Sequence, residues 1–178
     1  MSLAEQWKYE KSYRSSDYRM KGLRLKYAAH DVGTMTPGSL YLDVGCGRGE
    51  MLDVAESIGV IACGIETVPD LCDGTRVLHG DICALPFADD AFDYVTCYDV
   101  LEHILPGEEQ TALDELRRVC RGVVFLSTND RRSVLPDGTE LHVNRRSRVD
   151  WHTDIIARWP AAEFSLAEGR DWHWRCQK

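Results

Sequence analysis

The sequence predicts an α/β fold: a doubly wound, mostly parallel sheet closed by an antiparallel hairpin at its C-terminal end. Three observations carry this. Strand-like apolar runs alternate with helical patterns from about residue 39 onward. The first run, "SLYLDV", passes directly into the glycine loop "GCGRGE" and then into a helical pattern. The chain closes on two short runs separated by "EGRD", the second alternating Trp172, Trp174 and Cys176.

Element by element, the N-terminal stretch 3–29 is polar, basic and set with tyrosines, and reads as one or two helices broken near Ser15-Ser16. "MTPGS" is a turn. Strands follow at about 39–44, 60–65, 76–79, 92–98 and 122–127, with helices at about 49–58, 108–119 and 147–159. Only "TVPDLCDGT" separates the second strand from the third. A parallel crossover with its helix needs at least about 10–12 residues, so a single turn or an open loop is expected there. Residues 1–36 are expected to form a helical cap segment, and 37–178 one ligand-binding domain.

Composition narrows the class. With 178 residues, 44% apolar and 28% charged, the chain reads as a single soluble globular domain. No apolar run approaches the roughly 18 residues of a membrane span, and the N-terminus lacks a signal-peptide core. Seven scattered cysteines without a CxxC pair point to a reduced, cytoplasmic protein. The net charge of −8 argues against a non-specific nucleic-acid binder. The charge is nevertheless uneven. Residues 8–26 carry seven Lys/Arg against two acids, and residues 117–148 carry eight Arg against three acids. Such runs are ordinarily solvated faces, but they also permit a small or anionic substrate at one end.

The glycine loop admits three ligands on first principles. A Walker loop requires GxxxxGK[ST], which is absent. A dinucleotide site prefers GxGxxG, whereas this loop is GxGxG (Gly45, Gly47, Gly49) and follows an acid, Asp43. A carboxylate sits badly beside a pyrophosphate and well beside a cationic ligand such as a sulfonium amino acid. Glu66 ends the second strand about twenty residues on, where doubly wound folds place a carboxylate on ribose hydroxyls. Asp81 follows the third strand and is placed to accept from an adenine amino group.

Taken in order, "LDVGCGRGE", "GIE", "GDICALPFADDAFDYVTCYDVLEHI", "ELRRV" and "VVFLST" resemble the class I S-adenosylmethionine-dependent methyltransferases. The likeness is greatest to the small-molecule and ubiquinone-biosynthesis-like branch, over roughly residues 38–165. It implies a Rossmann-like seven-stranded sheet and S-adenosylmethionine as cofactor. It also implies that Asp43, Gly45, Cys46 and Gly47 border the methionine part, Glu66 the ribose, and Asp81 with Ile82 the adenine, with Tyr98 completing the set.

The segment after the fourth strand, "CYDVLEHILPGEE", faces the methyl group in that family. His103 is the candidate base, because imidazole accepts a proton near neutral pH, and Asp99 stands beside it. Tyr13 and Tyr18 are expected to close over the site, and Arg131 and Arg145 to meet an anionic acceptor.

A second likeness concerns metal. Asp99, Glu102, His103 and the later His142 resemble the divalent-metal site of the small-RNA 3′-terminal 2′-O-methyltransferases, with Asp99 in place of a glutamate. Mixed oxygen and nitrogen ligation would suit Mg²⁺, Mn²⁺ or Zn²⁺. The sequence favours no metal and keeps the four as an alternative, together with a nucleic-acid end as acceptor. A third alternative is a non-catalytic subunit that binds the cofactor and completes a partner.

Overall fold

A computed structural model describes residues 3–15, 23–166 and 171–178. Seven strands form one sheet in the order β3-β2-β1-β4-β5-β7-β6. They are β1 (Leu40–Val44), β2 (Ile61–Glu66), β3 (Val77–His79), β4 (Phe92–Tyr98), β5 (Cys120–Thr128), β6 (Glu163–Leu166) and β7 (Trp172–Gln177). The pairs β1–β2, β1–β4, β2–β3 and β4–β5 are parallel, while β7 runs antiparallel to both β5 and β6. This is the doubly wound sheet with a reversed terminal hairpin that the sequence predicts.

Burial explains the two kinds of strand. β5 lies under helices on both faces, and its residues Val123 to Thr128 are buried without a break. β7 alternates: Trp172, Trp174 and Cys176 are buried, while Arg175 and Gln177 face solvent. Helices α1 (Leu3–Ser15), α2 (Leu23–Gly33), α3 (Glu50–Ser57), α4 (Glu109–Val119) and α5 (Arg148–Arg158) complete the fold. On one face α2 and α3 pack Ala28, Val32, Met51, Leu52 and Ala55 against Tyr41 and Phe125. On the other, α4 and α5 bury Leu113, Leu116, Trp151 and Ile155 against Val95, Leu126 and Trp174. α5 starts on a capping box: the Ser147 hydroxyl accepts from the Asp150 amide, and the Asp150 carboxylate accepts from the Ser147 amide.

The β2–β3 connection is a single 3₁₀ turn, Pro69–Leu71, followed by a loop. Asp73 organises that loop by accepting from the amides of Thr75, Arg76 and Val77, and these donors lower its carboxyl to about 2. Arg76 then reaches back to Asp53 and Glu56 on α3. No helix among the described residues is long and apolar enough to cross a membrane.

Candidate active site

The site forms along the carboxyl edge of the parallel strands, where ligands of open α/β sheets bind. β1 delivers the chain into a loop in which Gly45, Gly47 and Gly49 have φ of 75°, 55° and 82°. Only glycine holds that left-handed backbone at no steric cost. A β-carbon on Gly45 would also stand 2.4 Å from a methyl of Val100. The amides of Gly45 and Cys46 both donate to the Ile65 carbonyl, at 2.8 and 3.2 Å, which lashes the loop to β2.

Glu66 secures the same junction. One carboxylate oxygen accepts from the Gly47 amide at 2.9 Å, and the other accepts from the amides of Thr67 and Val68 at 2.8 and 3.1 Å. Burial pushes this carboxyl up and the three amides pull it back. An ionised carboxylate offers about four lone-pair sites, so it retains acceptor capacity toward the edge where a ribose would lie. Sequence reasoning singled out this acid for a ribose and did not foresee that it anchors the loop.

Asp43, the penultimate residue of β1, is buried. It accepts from the Thr96 hydroxyl at 2.6 Å, and the Tyr41 hydroxyl donates to Thr96 at 2.6 Å. Burial foremost, with the nearby Glu66 and Glu50, raises its carboxyl to about 7 against the pull of Thr96. A cationic ligand would stabilise its charged form. Asp81, beyond β3, accepts from the Cys83 amide at 3.0 Å, and Ile82 is buried beside it. Tyr98 ends β4 with its hydroxyl donating to Asp31 of α2 at 2.8 Å.

Helix α1 lies across this edge as a strap. Tyr9 packs with Val68, Leu135 and Leu141, and Tyr13 and Leu71 flank them. Tyr13 sits directly over Gly47 and carries the Arg48 guanidinium 5.6 Å from its ring centre. Ion pairs Arg14–Asp70 and Lys11–Asp137 hold the C-terminal part of the strap. Tyr18 lies outside the described residues.

After β4, Asp99 adopts φ 54° and turns toward β5: its amide donates to the Ser127 carbonyl, and the Ser127 hydroxyl donates to its carboxylate at 3.3 Å. The 3₁₀ turn Leu101–His103 then brings Glu102 and His103 beside His142, with one ligand atom from each lying within 4.8 Å of the others. Asp99 is not part of this group. The Nδ1 of His142 donates to the Arg131 carbonyl at 2.7 Å. The Nδ1 of His103 lies 2.7 Å from the Tyr9 hydroxyl, which donates to the Leu141 carbonyl. Both rings therefore carry their lone pair on Nε2, the arrangement metal-binding imidazoles adopt. Thr128 and Asn129 donate to the Glu102 carboxylate. The trio fits a small divalent ion by donor chemistry.

The arginines are largely committed to carboxylates. Arg131 pairs with the buried Asp171, Arg132 with Glu140 and Arg146 with Asp154. Arg145 is exposed. Arg131 and Asp171 come from segments far apart in sequence, and no local pattern announced that pairing.

Comparison with known proteins bears on the domain and the fold. Residues 42–126 match the family described as "Methyltransferase domain". A ubiquinone biosynthesis O-methyltransferase of Methylococcus capsulatus is 33% identical over 111 residues, covering 55% of this chain and 46% of the relative. The tRNA (carboxymethyluridine(34)-5-O)-methyltransferase alkbh8 of Xenopus tropicalis is 33% identical over 95 residues, covering 51% of this chain and 15% of the relative. The chain thus spans less than half the length of these relatives. A crystal structure of a SAM-dependent methyltransferase from Archaeoglobus fulgidus superposes with a TM-score of 0.70 at 15% identity, over 97% of this chain and 99% of that one. The chain is thus similar to methyltransferase domains over residues 42–126 and shares its fold over nearly its whole length with a SAM-dependent methyltransferase of known structure.

Proposed function

We propose that this chain transfers a methyl group from S-adenosylmethionine to an oxygen or nitrogen of a small acceptor. The observation that carries the reading is the junction of Gly47 and Glu66. A glycine loop is held open by a buried carboxylate, with Asp43 behind it and Tyr13 above it. Asp43 suits the ammonium of the methionine part, Glu66 the ribose hydroxyls, and Asp81 the adenine. The cofactor supplies a sulfonium-bound methyl and its own leaving group. The protein's part is to hold the acceptor in line and to keep water out, a task for which the α1 strap is placed.

A second reading is favoured by the Glu102–His103–His142 trio: a metal-dependent enzyme acting on a nucleic-acid end. Those three residues would hold the ion, which would act as a Lewis acid on the acceptor hydroxyl. The likeness to a protein named as a tRNA methyltransferase supports a nucleic-acid acceptor.

The deciding experiment follows labelled methyl from S-adenosylmethionine into a fractionated cell extract, with and without Mn²⁺. Metal-independent label in the small-molecule fraction is the expected result. Metal-dependent label in nucleic acid would replace the first reading by the second. Cofactor binding without transfer to any fraction would overturn both in favour of a binding subunit.

A further inference from the structure

His173, a residue with no role in the site as described above, occupies a specific place on its edge. It pairs with Ser127 of β5, which pairs with Tyr98 of β4. Residues paired across a sheet point to the same face. Ser127 carries only a hydroxymethyl group, so the rings of Tyr98 and His173 close over it, stacked with centroids 5.5 Å apart and planes 13° apart. Asp31 of α2 approaches from the helical layer. Its carboxylate accepts from the Tyr98 hydroxyl and stands 3.4 Å from Nε2 of His173. The side chains of His173 and Asp31 are 13% and 15% exposed. The β1–β4 register pairs Asp43 with Thr96, so the glycine loop leaves β1 beside the end of β4 that carries Tyr98. Tyr98, Ser127 and His173 therefore form one transverse row across β4, β5 and β7, next to the end of β1. The glycine loop lies at one end and the imidazole at the other, three inter-strand spacings or about 14 Å apart at the backbone.

We propose that His173, oriented by Asp31, takes the proton from the methyl acceptor. The inference rests on the methyltransferase reading above and adds to it the residue and the acceptor class. A general base needs one ring nitrogen held by an orienting group and the other presented to the substrate. Nε2 faces Asp31, and Nδ1 makes no hydrogen bond among the described residues. His103 lies instead beside Glu102 and His142, the group that the metal reading uses.

In the step, the acceptor O–H or N–H passes its proton to Nδ1 of His173 as the acceptor–carbon bond forms. The sulfur–methyl bond breaks and its electron pair stays on sulfur. The products are the methylated acceptor, the neutral thioether and an imidazolium facing the Asp31 carboxylate. Water later takes the proton.

The groups around the imidazole set its protonation. Asp31 and Tyr27 face it from α2, Tyr98 and Asp99 from β4 and its end, and Asp171 from the start of β7. His30 and Arg175 act on Asp31. Burial lowers the imidazole below its usual range against the pull of Asp31, Asp99 and Asp171, which leaves it neutral and able to accept at neutral pH. Asp171 is balanced by Arg131, but the carboxylates of Asp31 and Asp99 beside the base repel an anion. The reacting end of the acceptor is therefore a neutral hydroxyl or an amine that carries its proton.

The test compares wild type, His173→Gln and Asp31→Asn. Each is assayed for labelled methyl transfer into the extract fraction that wild type labels, from pH 5 to 9, and for S-adenosylhomocysteine binding by calorimetry. His173→Gln is expected to lose about 100-fold in transfer while keeping its affinity for S-adenosylhomocysteine. Asp31→Asn is expected to shift the acid limb of the rate profile to lower pH, because the imidazole loses the charge that raised it. Transfer at the wild-type rate by His173→Gln would overturn the proposal. So would an unmoved acid limb in Asp31→Asn, which carries the decision should His173→Gln fail to fold. So would a wild type that binds S-adenosylhomocysteine but labels nothing. A wild type that does not bind S-adenosylhomocysteine would instead overturn the methyltransferase reading, and this proposal with it.

Discussion

The Tyr13 hydroxyl stands 2.8 Å from the point that a β-carbon on Gly47 would occupy. The α1 strap thus seats on the one loop residue whose amide is held by Glu66. Gly47→Ala would both push Tyr13 away and strain the backbone at φ 55°. The backbone part should cost about 1–2 kcal/mol of stability. Gly74 is the control: it has φ 75° but nothing within 4 Å of the added carbon. Thermal unfolding should show the backbone loss for both alanine variants and an added loss for Gly47→Ala alone. Calorimetry with S-adenosylhomocysteine should show weakened binding only for Gly47→Ala, relieved in part by Tyr13→Phe. Equal binding losses at the two glycines would disprove the seating.

Glu66 accepts from three amides, so its replacements should separate scaffold from ligand. Glu66→Ala leaves all three donors unmet and should cost on the order of 2–4 kcal/mol in urea unfolding. Glu66→Gln keeps an oxygen for Thr67 and Val68 but sets an amide group against the Gly47 amide, so it should cost less. Affinity for S-adenosylhomocysteine should fall about 10–100-fold in Glu66→Ala, as charged hydrogen bonds to the ribose are lost. A folded Glu66→Ala variant with wild-type affinity would remove Glu66 from the ribose.

The elements that were legible in the sequence are those built from local periodicity. The alternation of Trp172, Trp174 and Cys176 marked β7, and the shortness of "TVPDLCDGT" marked the missing crossover helix. Glu66 was readable because its distance from the loop is fixed by one βαβ unit. Asp99 was harder. Asp-x-x-Glu-His reads as one helical turn, yet the left-handed backbone at Asp99 aims its carboxylate at Ser127, and the turn begins only at Leu101. Asp31 and His173 could not be read together at all. They are 142 residues apart and meet because the sheet order sets β7 beside β5, under α2. The pairing of Arg131 with Asp171 was hidden for the same reason.

On the metal reading, Zn²⁺ or Mn²⁺ should raise the unfolding temperature of wild type but not of His142→Ala or Glu102→Gln. At a hundredfold excess over the dissociation constant the gain would be about 2.7 kcal/mol. An ion bound by Glu102, His103 and His142 requires the Nδ1 of His142 to stay on the Arg131 carbonyl. A stabilisation that survives His142→Ala would place the ion elsewhere. No stabilisation in wild type would remove the metal reading.

Asp43 makes the pH dependence specific. Its carboxyl is raised to about 7 in the folded chain, above the ordinary value near 4. A group raised on folding stabilises the fold fully below its unfolded value, and that contribution is lost as pH rises through the folded one. Wild type should therefore lose stability between about pH 4 and 7, by up to about 4 kcal/mol from this residue. Asp31 and Glu66, also raised by burial, act in the same direction, so the share of Asp43 is the part that Asp43→Asn removes. Binding adds a second consequence. An ammonium placed against Asp43 favours the carboxylate, so S-adenosylhomocysteine should expel a proton at pH 7. Its binding enthalpy should then vary with the ionisation enthalpy of the buffer in wild type, and vary less in Asp43→Asn. An enthalpy independent of buffer in wild type would mean that the ligand's positive charge does not lie at Asp43.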